Sequence, residues 1–263
     1  MLVTGVSLIS VFACTAMLVA WVIERKTSNA GIVDVFWAFG MMLAGAYYAY
    51  TGSAPGWLRM VVAALAVGWF LRLGFHILRR VIREREEDGR YRAMRAWLGN
   101  HAGIGFFAFF QLQAGFIVLL SLPFLAVANT AEPSVVMVVA GITVATVAFL
   151  GEATADKQLE EFRADPQNRG LTCRQGWWRY SRHPNYFFEW LHWFAYPIMG
   201  FGGPFGYWLW LAPLGMLAFL IFFTGIPFTE QQALRSRGDD YRRYQEQTSA
   251  FFPWPPSTRY ENS

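Results

Sequence analysis

Asn185 and Glu189 stand four residues apart in the stretch Arg174-Gln-Gly-Trp-Trp178-Arg-Tyr180-Ser-Arg182-His183-Pro-Asn185-Tyr186-Phe-Phe-Glu189. On a helix that spacing puts both on one face. A carboxamide beside a carboxylate can hydrogen-bond an amide group or a ribose. The Arg and Tyr residues around them can bind phosphate bidentately and stack on a base. Taken together, these side chains suit a nucleotide. An aromatic belt at a membrane interface would explain the tryptophans and tyrosines, but not Asn185 and Glu189 together.

Other charged residues stand where apolar ones are expected. Asp34 lies in Asn-Ala-Gly-Ile-Val-Asp34-Val-Phe-Trp37, inside an apolar run, with Trp37 three residues on and on the same helix face. An ionisable residue in such a run is a functional-site hypothesis by default, and an Asp capping the helix start is the plainer alternative. Arg72, His76, Arg79 and Arg83 follow at spacings of four, three and four and form one stripe. Snorkelling anchors account for the arginines; His76 is a residue suited to moving a proton. Arg90, Arg92 and Arg95, around Tyr91, read either as a phosphate clamp or as a solvated charge run. Glu152 and Asp156 share a face and would accept hydrogen bonds from ribose hydroxyls or an amide.

The elements that must position these residues are membrane helices. Only 15% of the 263 residues are charged and 55% are hydrophobic, against about 25% charged in ordinary soluble domains. Residues 3–23, 102–129 and 205–228 are uncharged and apolar, and weaker runs lie at 30–51, 60–78, 134–151 and 184–201. A bilayer core takes roughly 20 helical residues per crossing, and lipid leaves the backbone no open alternative. The expectation is an all-α polytopic membrane protein of about seven transmembrane helices. It forms one domain over residues 1–263, with long loops 79–101 and 152–183 and a tail 229–263 on one side. That side, with Arg72, carries 21 of the 22 Lys and Arg residues, and Arg59 alone falls on the other. The positive-inside rule therefore places the N-terminus outside and the C-terminus in the cytoplasm. The excess positive charge follows from topology, and no nucleic-acid partner and no metal site are expected. Cys14 and Cys173 read as reduced thiols.

The Gly-Trp-Trp and Arg-His-Pro-Asn-Tyr elements of residues 176–186 resemble the signature of membrane sterol reductases. Over nearly its whole length the chain resembles the DUF1295 family of bacterial membrane proteins, related to steroid 5-alpha-reductase, within the isoprenylcysteine methyltransferase-like superfamily. The resemblance includes Arg90-Tyr91, Asp156, and the tail pattern Glu230, Tyr241-Arg-Arg-Tyr244 and Phe252-Pro253. It implies NADPH as cofactor, with Arg79, Arg90, Tyr91, Asp156, Arg174, Trp178, Tyr180, Arg182, His183, Asn185, Tyr186, Glu189, Glu230 and Tyr241 at its site. His76 stands where those reductases use a Tyr donor to the substrate ketone. Glu152 and Glu230 depart from the resembled pattern, and the reductases' partnering Glu on the second span is absent, with Asp34 standing in by role.

The reaction implied is hydride transfer from NADPH to an activated carbon–carbon double bond, an enone, of a steroid-like or other lipid. His76 and Asp34 would be the catalytic pair, and Trp37 and Arg72 would line the substrate. The resemblance also implies a bacterial inner membrane. The rival readings are a membrane methyltransferase using S-adenosylmethionine, which shares Arg182-His183-Pro184, and a non-enzymatic lipid-binding protein.

Overall fold

The computed structural model describes residues 2–83, 87–203, 205–223 and 225–257. Residues 84–86 of the first inward loop, Thr224 in the last predicted span, and 258–263 of the tail lie outside the described residues. Every regular element among the described residues is helical.

The apolar runs form long helices: α1 (Leu2–Thr27), α2 (Ile32–Thr51), α3 (Gly56–Arg83), α5 (Ala102–Val127) and α6 (Val135–Ala164). A short helix, α4 (Gly89–Leu98), precedes α5, with Asp88 capping it by accepting from the Arg90 backbone N–H. Six helical runs are long and apolar enough to cross a membrane, the last being Trp208–Arg237. The protein is a multi-pass, all-α membrane protein.

The predicted span at 184–201 is not one helix. It breaks into α7 (Pro184–His192) and α8 (Ala195–Met199). Between them the ladder tightens: the backbone N–H groups of Trp193 and Phe194 donate to the carbonyls of Trp190 and Leu191, three residues back. Pro197 cannot donate to the carbonyl four residues before it, which removes the bond that would have carried an α-helix through this point. The last run is broken too, into α9 (Leu211–Ala218), a π-helical turn (Phe219–Phe223), α10 (Ile226–Arg237) and, beyond it, α11 (Asp239–Gln247).

The chain falls into two compact units, Met1–Val138 with Met199–Gly206, and Val139–Ile198 with Tyr207–Ser263. In the first, α2 is the central helix. A methyl at Gly45 would lie 2.4 Å from Ala66 Cβ, and one at Gly40 would lie 2.6 Å from Ile117, so these glycines let α3 and α5 close on α2. Trp37 meets Phe70 edge to face at 5.7 Å. The Trp21 indole N–H donates to the Gly103 carbonyl and ties α1 to α5.

In the second unit, α7 runs along α6: Asn185 reaches Asp156, and the Phe188 ring fills the space a side chain at Gly151 would need. Gly176 has φ +55°, and any Cβ there would strike the Gln158 side chain, so the tight turn before α7 admits only glycine.

The distribution of basic residues bears on whether the broken α7–α8 segment crosses. If it did not, Arg235, Arg237, Arg242 and Arg243 would emerge on the side that otherwise holds Arg59 alone. A green fluorescent reporter fused after Ser263 is therefore expected to fluoresce in the cytoplasm, and a periplasmic phosphatase fused there to stay inactive. An active phosphatase would reverse the orientation of the tail.

Candidate functional site

Pro184 opens α7 at a position where its missing N–H has no helical partner to lose. The residues on either side belong to a polar cluster of the second unit. The Asn185 carboxamide nitrogen donates to Asp156 Oδ1 at 3.3 Å, and its oxygen accepts from the Tyr186 backbone. Glu189 lies one turn further along α7. His183 and Tyr186 stack face to face, 5.4 Å apart and nearly parallel. The Tyr186 hydroxyl meets Thr229 on α10 at 3.2 Å.

Glu230, next to Thr229, gathers three groups. Arg182 Nε donates to it at 2.6 Å, Gln245 Nε2 donates at 2.9 Å, and His183 Nε2 stands 3.3 Å away. Burial pushes the His183 imidazole below its usual pKa, against the opposing pull of Glu230. The other arm of Arg182 donates to the carbonyls of Gln245 and Thr248. The tail then straps the loop. The Ser181 hydroxyl donates to the Phe251 carbonyl, the Arg182 N–H to Ser249, and the Trp254 N–H to Tyr180. The Tyr244 hydroxyl donates to the carbonyls of Trp178 and Ser181.

Asn185, Asp156, Glu189, His183, Tyr186, Glu230 and Arg182 all lie in the second unit. Several have duties the sequence did not indicate. Arg182 is bonded to Glu230 and two carbonyls, which makes it an internal tie rather than a phosphate ligand. Trp178 is buried and its indole N–H donates to the Ala155 carbonyl, fixing the loop to α6. Tyr241 is buried edge-on against Tyr244. Arg174 bonds Asp240 yet keeps 41% of its side chain exposed, and Tyr180 is exposed.

The remaining predicted residues lie in the first unit. The Asp34 carboxylate accepts from the Tyr91 hydroxyl at 2.7 Å and from Arg90 at 3.0 Å, and Arg90 also grips Asp88. Arg95 bridges Glu87, bidentately, and Glu24, whose side chain is 1% exposed. Arg90 and Arg95 therefore hold α4 against α1 and α2 through carboxylates, and the phosphate-clamp reading does not describe them.

Asp34 and His76 do not meet within this unit. Gly74 faces Phe39 of α2, where a Cβ would lie 3.1 Å from the ring. His76, two residues on, is turned about 200° around α3. It is exposed, as is Arg79. Trp37 packs on Phe70, and the Arg72 guanidinium sits over Trp69 at 5.7 Å.

Sequence reasoning missed Glu24, Glu87, Thr229 and Gln245, all partners of residues it named. Only Glu24 carried a signal, as a carboxylate one residue past the end of an uncharged run.

No curated protein and no solved structure matches the chain. The family model described as "Protein of unknown function (DUF1295)" matches residues 20–248, a range that takes in both polar clusters. The chain belongs to the DUF1295 family.

Proposed function

We propose that the second unit binds NADPH and that the protein reduces an activated carbon–carbon double bond of an apolar lipid. The observation that carries this reading is the Asn185–Asp156 pair at 3.3 Å, with Glu189 one turn along the same helix. A carboxamide flanked by two carboxylates on adjoining helices offers the acceptors and donors that an amide and ribose hydroxyls require. The chemistry of the loop suits the phosphates as well, since Arg174, Arg179 and Tyr180 all keep exposed surface. When bound, NADPH supplies the hydride. Asn185, Asp156 and Glu189 would hold its amide and ribose groups by hydrogen bonds, and the stacked His183 and Tyr186 rings would pack against it.

Titration of the purified protein, following nicotinamide fluorescence, tests the reading. Asn185→Ala and Glu189→Ala are each expected to weaken NADPH binding about 2- to 12-fold, the effect of losing a hydrogen bond of roughly 0.5–1.5 kcal/mol. Affinity unchanged in both variants would remove the site. Binding of S-adenosylhomocysteine in place of NADPH would overturn the reductase and favour methyl transfer.

A further inference from the structure

At the basic end of α3 the charges of the first unit are sorted by sign. Glu24, Asp34, Glu87 and Asp88 are turned inward, and each accepts from Arg90 or Arg95. Among the described residues at this end, the exposed charged side chains are Arg25, Lys26, Arg79, Arg83 and Arg92, all positive. The carboxylates serve the interior and the surface keeps one sign.

One of these arginines stands at the end of an apolar row. Trp57, Met60, Ala64, Gly68, Leu71, Phe75, Arg79 and Ile82 follow at steps of three, four, four, three, four, four and three. That is the period of a single helix face. Every member of the row is exposed, Met60 and Ile82 most among the large ones, at 72% each. The row has a shallow notch at Ala64 and Gly68, and no atom lies within 4 Å of where a Gly68 Cβ would stand. His76 and Arg83, both exposed, flank Arg79 one turn either way along the neighbouring row.

The depth of these residues in a bilayer follows from length. α3 has 28 residues, about 42 Å of rise, against about 30 Å for a hydrocarbon core. Arg59 marks one boundary, its guanidinium donating to the Tyr50 carbonyl at 3.0 Å. A crossing of roughly 20 residues from there ends at Arg79. Arg79 thus stands at the level of the phosphates, with the apolar row below it at the depth of acyl chains. A snorkelling anchor needs only the arginine. It gives no reason for an exposed apolar row to lead into a guanidinium flanked by a second one and an imidazole.

We infer that this face of α3 is a binding site for an anionic phospholipid. The lipid phosphate would be held by Arg79 and Arg83, with His76 as a further hydrogen-bonding group, and an acyl chain would lie along Phe75, Leu71 and the Gly68 notch. The occupant is an amphiphile because the charged and apolar parts of the site are continuous, and it is anionic because the exposed charges around it are all positive. The inference is independent of the reductase reading, since every residue it uses lies in the first unit.

The test uses the full chain in phosphatidylcholine nanodiscs containing a small fraction of phosphatidylglycerol spin-labelled on one acyl chain. The share of label immobilised by the protein, compared with that of phosphatidylcholine carrying the same label, gives the relative affinity. The wild-type protein is expected to prefer phosphatidylglycerol. Arg79→Gln and Arg83→Gln should each lower that preference about 5-fold, the effect of roughly 1 kcal/mol per basic residue near an anionic surface. Both positions are exposed, so melting should be unchanged and a lost preference is not lost folding. Arg25→Gln with Lys26→Gln removes as much positive charge from α1 and should leave the preference in place. Equal affinity for the two lipids in the wild type, or an equal loss in the α1 variant, overturns the site in favour of diffuse charge attraction. Excess inorganic phosphate at constant ionic strength should not release the label, having no chain for the apolar row. Full release by phosphate would overturn the lipid and leave a simple anion site.

Discussion

Arg95→Ala is expected to destabilise the first unit by about 3–5 kcal/mol, the range for removing one partner from a buried ion pair. Its guanidinium is the link between Glu24 on α1 and Glu87 just before α4, at 2.8 Å and 2.7 Å. Glu24 and Glu87 are almost fully buried, so alanine leaves two carboxylates facing each other without their shared cation. For a chain of this size the loss corresponds to roughly 6–20 °C in melting temperature. Thermal unfolding followed by tryptophan fluorescence in detergent measures it. Arg95→Lys should recover only part, because an ammonium cannot reproduce the two parallel bonds to Glu87. Removing the charges as well, in Glu24→Gln with Glu87→Gln, should make the alanine substitution milder. Wild-type melting in Arg95→Ala would show that the triad does not hold α4.

Arg182→Ala is the second large effect, again about 3–5 kcal/mol. It strips Glu230 of its shortest bond and leaves the carbonyls of Gln245 and Thr248 without their donor. Because Arg182 acts on the protein's own tail, the expected signature is a smaller folded fraction and faster proteolysis after residue 248, with NADPH affinity of the folded molecules unchanged. That pattern is the reverse of the one expected for Asn185→Ala. Weaker NADPH binding with an unaltered melting curve would restore Arg182 as a cofactor ligand.

These two arginines also show what could be read from the sequence and what could not. Local periodicity was readable. The four-residue steps from Glu152 to Asp156 and from Asn185 to Glu189 fall on helices, and the apolar runs became the long helices of the bundle. Partners far along the chain were not readable. Arg90 lies 56 residues from Asp34, Arg95 lies 71 from Glu24, and Arg182 lies 48 from Glu230. An arginine awaiting a phosphate and one already bonded to a distant carboxylate look alike in composition. The Asp34–His76 pairing failed for a related reason. Both residues occupy the same end of adjacent helices, but the rotation of α3 about its axis is set by which small residues admit α2, and Gly74 claims that face. The break in the 184–201 span was foreshadowed by Pro197, although proline alone does not say whether a helix bends or stops.

The strap formed by the tail has a consequence in time. Tyr180, Ser181 and Arg182 leave the ribosome long before the residues that complete their bonds, since Trp254 follows Tyr180 by 74 positions in the chain. At roughly 5–20 residues per second, synthesis of that interval takes about 4–15 s. During those seconds α7 and the last membrane run must find their places in the bilayer while the loop between α6 and α7 has none of its clasp. Insertion therefore comes first and the loop at Tyr180–Arg182 is clasped last, so a nascent chain halted before residue 248 should carry membrane helices but an unfastened loop.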